Sequence, residues 1–184
     1  MVEIRPLRLP DVREIKPARH GDDRGFFSEV YNRRSMSDKG LDIEFVQDNH
    51  SHSREVGVLR GLHFQMPPFA QDKLIRVTKG RIFDVAVDIR KGSATYGQWV
   101  GLDVSAEAWN QIFVPKGFAH GFVTLEPDTE VLYKVTSLYS PEHDRGIRFN
   151  DPDIGIDWPV DEADLTLSPK DRDAPFLHES ETGF

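Results

Sequence analysis

Two histidines sit in patterned stretches where a side chain could do chemistry. His63 lies in Gly57-Val58-Leu59-Arg60-Gly61-Leu62-His63-Phe64-Gln65, and His120 closes Pro115-Lys116-Gly117-Phe118-Ala119-His120. An imidazole can serve as a metal ligand or as a proton-transfer group near neutral pH. The surroundings argue against the metal. Two residues after His63 stands Gln65, no glutamate follows within the next few positions, and the chain has no cysteine. Two ligands rarely hold a catalytic metal with useful affinity, so neither metal nor cofactor is expected. Taken alone, His63 reads more readily as a satisfied core histidine than as a base.

The elements that must carry these residues are strands. In Ile82-Phe83-Asp84-Val85-Ala86-Val87-Asp88-Ile89 the odd positions are all large and apolar, while the even positions include Asp84 and Asp88. That period of two predicts a strand with one buried face. Lys73–Thr78 precedes it, with Lys79-Gly80 as the turn. Similar runs occur at Phe26–Tyr31, Phe45–Asn49, Val58–Gln65, Trp99–Val104, Gln111–Val114, Gly121–Leu125 and Val131–Leu138. Short strands broken by Gly, Pro, Asn and Asp predict an all-β sandwich or barrel. The best helix candidate is Arg33–Lys39, stopped by Gly40, and His178–Phe184 reads as a frayed tail. No repeat or linker divides residues 1–184, so a single domain is expected.

Composition narrows the partners. The 184 residues carry 31 acids against 23 bases, a net charge of -8. Such a surface repels polyanions, so nucleic-acid binding is disfavoured, although a few converging cations could still hold a small anion. No apolar run approaches the roughly 20 residues needed to span a bilayer. The opening MVEIRPLRLP lacks the apolar stretch of a secretory signal. A cytoplasmic protein with no membrane partner is the expectation.

The two histidine stretches resemble the paired motifs of the cupin barrel, G-x5-H-x-Q and P-x-G-x-x-H, with the usual metal-binding H-x-H broken at Gln65. Further segments make the resemblance specific. They are Gly21-Asp22-Asp23-Arg24-Gly25-Phe26-Phe27, Val46-Gln47-Asp48-Asn49-His50, Leu59–Gln65, Phe83–Asp88, Pro115–Phe122 and Leu167-Ser168-Pro169-Lys170-Asp171. Together, and in this order, they identify the chain as similar to the dTDP-4-dehydrorhamnose 3,5-epimerase family over nearly its whole length. The fold this implies is a cupin jelly-roll barrel with a few short helices.

The resemblance also implies a substrate, dTDP-4-dehydro-6-deoxy-glucose, whose C4 ketone makes the hydrogens on C3 and C5 weakly acidic. Removing either needs a base in contact and a donor for the enolate oxygen. On the family pattern His63 is the base, Asp171 orients it, Tyr133 is the general acid and Lys73 steadies the enolate. Asp84, on the polar side of its strand, is the implied partner of Lys73. Arg24 and Arg60 suit the pyrophosphate, because guanidinium forks match phosphate oxygens. Glu29, Gln47, Asp48 and Asn49 take base- or sugar-reading positions, His120 contacts the sugar, and Tyr139 shapes the pocket. Contacts fall also on Lys170 and Asp144, the latter shorter than the family's usual glutamate-like acid. Phe26 and Phe27 are either thymine-stacking or core residues.

Two other classes compete: a metal cupin, against which Gln65 speaks, and a non-catalytic sugar-nucleotide sensor, against which the filled catalytic positions speak. Within the epimerases, inversion of C3 alone or C5 alone shares much of the pattern. The resemblance further implies a homodimer whose strands exchange across the interface.

Overall fold

The computed structural model describes residues 2–184. Three strands outside the predicted runs come first, β1 (Glu3–Pro6), β2 (Arg13–Lys16) and β3 (His20–Asp22), and the runs then supply β4 (Gly25–Phe27), β5 (Gln47–Ser53), β6 (Leu59–Gln65), β7 (Lys73–Lys79) and β8 (Arg81–Asp88). Then follow β9 (Trp99–Ser105), β10 (Gln111–Val114), β11 (Phe118–Thr124), β12 (Thr129–Val135) and β13 (Asp144–Gly146). Helix α1 (Arg33–Ser37) lies between β4 and β5, and α2 (Pro169–Arg172) follows β13.

Two antiparallel sheets face each other. One has the order β1-β2-β10-β7-β12-β5 and the other β13-β6-β11-β8-β9, while β3 and β4 pair as a separate hairpin. Ile75 and Val77 of β7, Ile112 and Val114 of β10, and Val131 of β12 meet Ile82, Ala86, Val100, Val104, Phe118 and Phe122 from the opposite sheet. Each large aliphatic side chain buried there contributes about 1.5–3 kcal/mol relative to exposure. This is the jelly-roll barrel expected from the sequence.

Strand β8 shows where period-two reasoning stops. Its alternation is real, but both faces are buried. The odd residues Val85 and Val87, with Ile89 just past the strand, point away from the barrel, under a cover made by Ile147, Ile154, Leu177, Trp158 and Phe184. The even residues Ile82 and Ala86 face the interior, and Asp84 and Asp88 are fully buried with them. Those aspartates therefore do not mark a solvent face. A central strand covered on both sides hides polar residues only when they have partners, and each does.

The same cover corrects the expected frayed tail. Thr182 is fully buried, the Lys91 N–H donates to the Phe184 carbonyl at 3.1 Å, and Phe184 packs on the outer core. The apolar outer face of β8 needs covering, and the chain end supplies part of it. Other boundaries move for local reasons. Pairing in the Phe26–Tyr31 run ends at Phe27, because Ser28 turns away to donate to the Ala18 carbonyl. Helix α1 begins at the Asn32 cap, whose side chain accepts from Ser35 N–H, and ends at Ser37, sooner than predicted. Strand β12 loses its partner after Val135, leaving Thr136–Leu138 outside the sheet.

Candidate active site

Strands β6 and β11 lie side by side, with His63 directly opposite His120. The motif glycines make this approach possible. A Cβ on Gly61, whose φ is +128°, would stand 2.6 Å from the Gly121 Cα and 2.7 Å from the His120 carbonyl. Any larger residue at Gly61 would push the two histidine strands apart. The pairing also shifts register between His120 and Phe122, a local irregularity of the kind that re-aims side chains.

His63 Nε2 lies 2.5 Å from Asp171 Oδ1. Asp171 reaches it because Ser168 and Pro169 start α2 there: the Asp171 N–H donates to the Ser168 hydroxyl at 3.1 Å. The carboxylate is almost wholly buried, whereas about a third of the His63 side chain (32%) remains open to the cleft. Burial works to raise the Asp171 pKa, but hydrogen bonds from His63, Ser168 and the Gly61 backbone outweigh it and hold the group below the usual range. Asp171 is thus an anion beside the ring. An anion at this distance from Nε2 favours the tautomer with its hydrogen there, which makes Nδ1 the acceptor nitrogen.

Lys73 opens β7 and is almost buried, its ammonium donating to the His63 carbonyl at 3.3 Å. Burial pushes its pKa down to about 8, against the opposing pull of Asp144 and Asp84. Asp84 was expected to be the partner of Lys73. Its direct partner is instead His120, whose Nε2 lies 2.9 and 3.0 Å from its two carboxylate oxygens. Burial raises the Asp84 pKa, and His120 and then Lys73 oppose that shift. The reason is register: Asp84 stands opposite Phe122, and the even-numbered face of β11 points into the same interior.

Tyr133 comes from the opposite wall. It lies on β12 of the six-stranded sheet, half-buried against the inner core, and burial raises its pKa while Arg60 opposes. A phenol held protonated in this way can donate. His63, Lys73, His120, Tyr133, Lys170 and Asp171 all line one open cavity of about 260 Å³. His63 and Tyr133 thus line this cavity from different sheets.

Of the remaining predicted contacts, Arg60 and Lys170 line the cavity, whereas Asp144, Tyr139, Gln47 and Asn49 lie outside its lining and connect to Lys170 through successive hydrogen bonds. Arg60 is held by the His52 carbonyl at 3.2 Å and the Ser53 hydroxyl at 3.4 Å. Tyr139 donates to Asp144 at 3.2 Å, and Lys170 pairs with the same carboxylate. Gln47 donates to Asn49 at 2.8 Å and accepts from the Tyr139 N–H at 3.1 Å.

Three more predicted contacts also lie outside the lining. Asp48 alternates away from Gln47 and Asn49 on β5, so its side chain is exposed on the outer face and paired with Lys134 at 2.9 Å. A strand cannot present three consecutive side chains to one side. Arg24 sits at the exposed tip of the β3–β4 hairpin, paired with Asp22, and Glu29 accepts from Asn32 at 3.0 Å. Neither lines the cavity around His63. Phe26 packs edge-on to Trp109 with a ring separation of 4.7 Å, while Phe27 is 71% exposed.

Sequence reasoning missed Ser51, Phe122 and Ser168, which also line the cavity. The signal for Ser51 was the period of two from Gln47 and Asn49, and that for Ser168 was the Ser-Pro start of a helix. Among the described residues, no group of three or more His, Cys, Asp or Glu is placed to hold a metal ion. Each motif histidine is instead committed to its own aspartate.

Comparison with known proteins agrees with this geometry. The model of the family described as dTDP-4-dehydrorhamnose 3,5-epimerase matches residues 6–179. The chain is 55% identical over 167 residues to the dTDP-4-dehydrorhamnose 3,5-epimerase of Pseudomonas aeruginosa, covering 90% of this chain and 91% of that one. It is 51% identical over 178 residues to the Sinorhizobium fredii protein of the same name, covering 97% and 91%. The crystal structure of a Legionella pneumophila dTDP-6-deoxy-D-glucose-3,5-epimerase in complex with dTDP-4-keto-L-rhamnose superposes with a TM-score of 0.92 at 45% identity, covering 97% of this chain and 94% of that one. With barrel, site and sequence in agreement, this chain belongs to the dTDP-4-dehydrorhamnose 3,5-epimerase family.

Proposed function

We propose that the protein is a dTDP-4-dehydrorhamnose 3,5-epimerase, an isomerase that converts dTDP-4-dehydro-6-deoxy-D-glucose to dTDP-4-dehydro-L-rhamnose by inverting C3 and C5. The observation that carries this is the placement of His63 and Tyr133 on opposite sheets around one cavity. Inversion next to a ketone requires a base on one face of the sugar and an acid on the other, and a single residue cannot serve both.

In this reading His63 takes the proton from C3 or C5, and Asp171 stabilises the resulting imidazolium. The bonding electrons move to the C4 oxygen, where the Lys73 ammonium, with the Asp84–His120 pair behind it, stabilises the oxyanion. Tyr133 delivers a proton to the opposite face and is restored from solvent, while His63 releases its own. No cofactor takes part, because the ketone is already in the substrate. Arg60, Gln47, Asn49, Tyr139, Asp144 and Lys170 form the rim for the nucleotide and sugar.

Arg24 and Glu29 fit this reading if a second copy brings its hairpin to the rim. In support, β5 is an edge strand with no neighbour on one side, and Phe26 and Phe27 stand exposed on the hairpin. A homodimer is therefore part of the proposal. A cytoplasmic location fits a nucleotide-sugar substrate, and among the described residues no helix is long and apolar enough to cross a membrane. The test is incubation with the keto-sugar nucleotide in deuterated water. Deuterium at both C3 and C5 of the product is expected, whereas label at one carbon alone means a monoepimerase.

A further inference from the structure

Gln65 occupies the position where a metal cupin would place its second histidine, and nothing in the proton-transfer scheme uses it. Its side chain is buried, with 4% exposed, yet every polar atom on it is engaged. The amide nitrogen donates to the Phe69 carbonyl at 2.7 Å and to the Leu138 carbonyl at 3.1 Å. The amide oxygen accepts from the Ser140 N–H at 2.7 Å. Only a carboxamide offers two donors and one acceptor in this arrangement.

The loop it grips follows β12, where sheet pairing has ended. Its backbone groups are met by side-chain amides instead. The Ser137 carbonyl accepts from Gln71 at 2.8 Å, Leu138 and Ser140 are held by Gln65, and the Tyr139 N–H donates to Gln47 at 3.1 Å. Gln65 is the member of this trio that shares β6 with His63, two residues away on the same face. The loop presents Leu138 and Tyr139 to solvent at 61% and 56% exposure, and the Tyr139 hydroxyl reaches Asp144.

We propose that Gln65 is a positioning residue that ties the Tyr139 rim loop to the strand of the base, so that a ligand held by the loop is delivered in register with His63. The ligand class is a nucleoside diphosphate sugar, and in this the inference rests on the function proposed above. A rim loop of this kind has few apolar contacts of its own, so its order depends on these hydrogen bonds.

Two variants test it. Gln65→Met keeps the length and removes all three bonds. Gln65→Glu keeps the shape but turns a carboxylate oxygen toward two carbonyls. Burial and those carbonyls favour the neutral acid, which can donate one bond, so this defect is expected to shrink as pH falls. The ionisable groups His143 and Asp144 contact the loop at Ser140 and Tyr139, so each variant is referred to the parent protein at the same pH. Melting curves and far-UV circular dichroism establish folding first. For Gln65→Met the expected result is a rise of about tenfold or more in dTDP Kd and in KM, with kcat changed far less. For Gln65→Glu the same rise is expected at pH 8, shrinking toward pH 6. A purely packing role would lower the melting temperature and leave KM of the folded fraction unchanged, which overturns the proposal. So does a fall in kcat at constant KM, since that places Gln65 on the His63 side of the chemistry. Should Gln65→Glu not fold, Gln65→Met carries the decision on Kd and KM alone. A parent protein inactive on the keto sugar counts against the proposed function, whereas an active parent with indifferent Gln65 variants counts against the clamp.

Discussion

The barrel interior and the β3–β4 hairpin are built on opposite principles. Inside, His63, Asp171, Lys73, Asp84 and His120 are each fixed by a partner from another element, and most are nearly buried. At the hairpin, Arg24 meets only Asp22 two residues away, and Phe27 faces solvent. The interior site is thus assembled within one chain, before any ligand arrives. The hairpin is open to solvent, and in the proposed function its residues join the site only when a second copy brings them to it. Proton transfer should therefore be sensitive to changes in the interior, whereas binding should be sensitive to changes at the hairpin.

The largest effect is expected at the base. His63→Asn should slow exchange of the C3 and C5 hydrogens with solvent by about 10²–10⁴-fold, while leaving dTDP affinity nearly intact. Exchange at the parent rate would reduce His63 to a packing residue and remove the contrast between the two regions.

The interior also predicts a pH signature. Lys73 has its pKa lowered from the ordinary 10.5 to about 8 by burial. If the ammonium stabilises the enolate, kcat/KM should decline above about pH 8, approaching tenfold per pH unit. Stability should respond with the opposite sign. Between pH 8 and 10.5 the unfolded chain holds more protons at this residue than the folded one, so the Lys73 contribution to stability rises with pH. In Lys73→Met both trends should vanish. A decline in kcat/KM that survives this substitution assigns it to another group.

At the hairpin, Arg24→Ala should raise KM about tenfold with little change in kcat, as loss of a phosphate contact made equally in ground and transition states does. Arg60→Ala, on the interior strand, should show the same split. Unchanged KM in Arg24→Ala would leave the hairpin outside the ligand site altogether. Equilibrium sedimentation sharpens this: a protein that sediments as a monomer while Arg24→Ala still raises KM contradicts donation of the hairpin by a second copy. The smallest effect, none, is expected from EDTA, because the motif histidines are committed to Asp171 and Asp84. Activity lost to EDTA and restored by one divalent ion would contradict the proton-transfer scheme.

Much of this was legible in the residues. Alternation gave most of the strands, though not β1, β2, β3 or β13, and Gln65 announced the broken metal motif. The pairing of His63 with Asp171, far apart in sequence, was readable only through the family pattern, since no local rule brings a C-terminal helix to β6. Three readings failed for physical reasons. Asp84 was placed on a polar face because a strand covered on both sides looks, in sequence, like one covered on one side. Asp48 was grouped with its neighbours because a motif is contiguous whereas a strand face is not. The tail seemed free because the apolar surface it covers, around Val85 and Val87, lies nearly a hundred residues earlier.

The central claim is that base and acid act from opposite walls, and Tyr133→Phe tests it most directly. The substitution keeps the ring that packs on the inner core and removes only the hydroxyl. His63 can still deprotonate, and Lys73 can still hold the enolate, but the proton can return only to the face it left. Deuterium content and product configuration are followed by NMR over one time course in deuterated water. The expected result is washout of the C3 and C5 hydrogens faster than inversion, where the parent protein couples the two closely. Inversion at the parent rate would contradict the two-wall account, because the acid would then have to come from another group such as Tyr139 or a water.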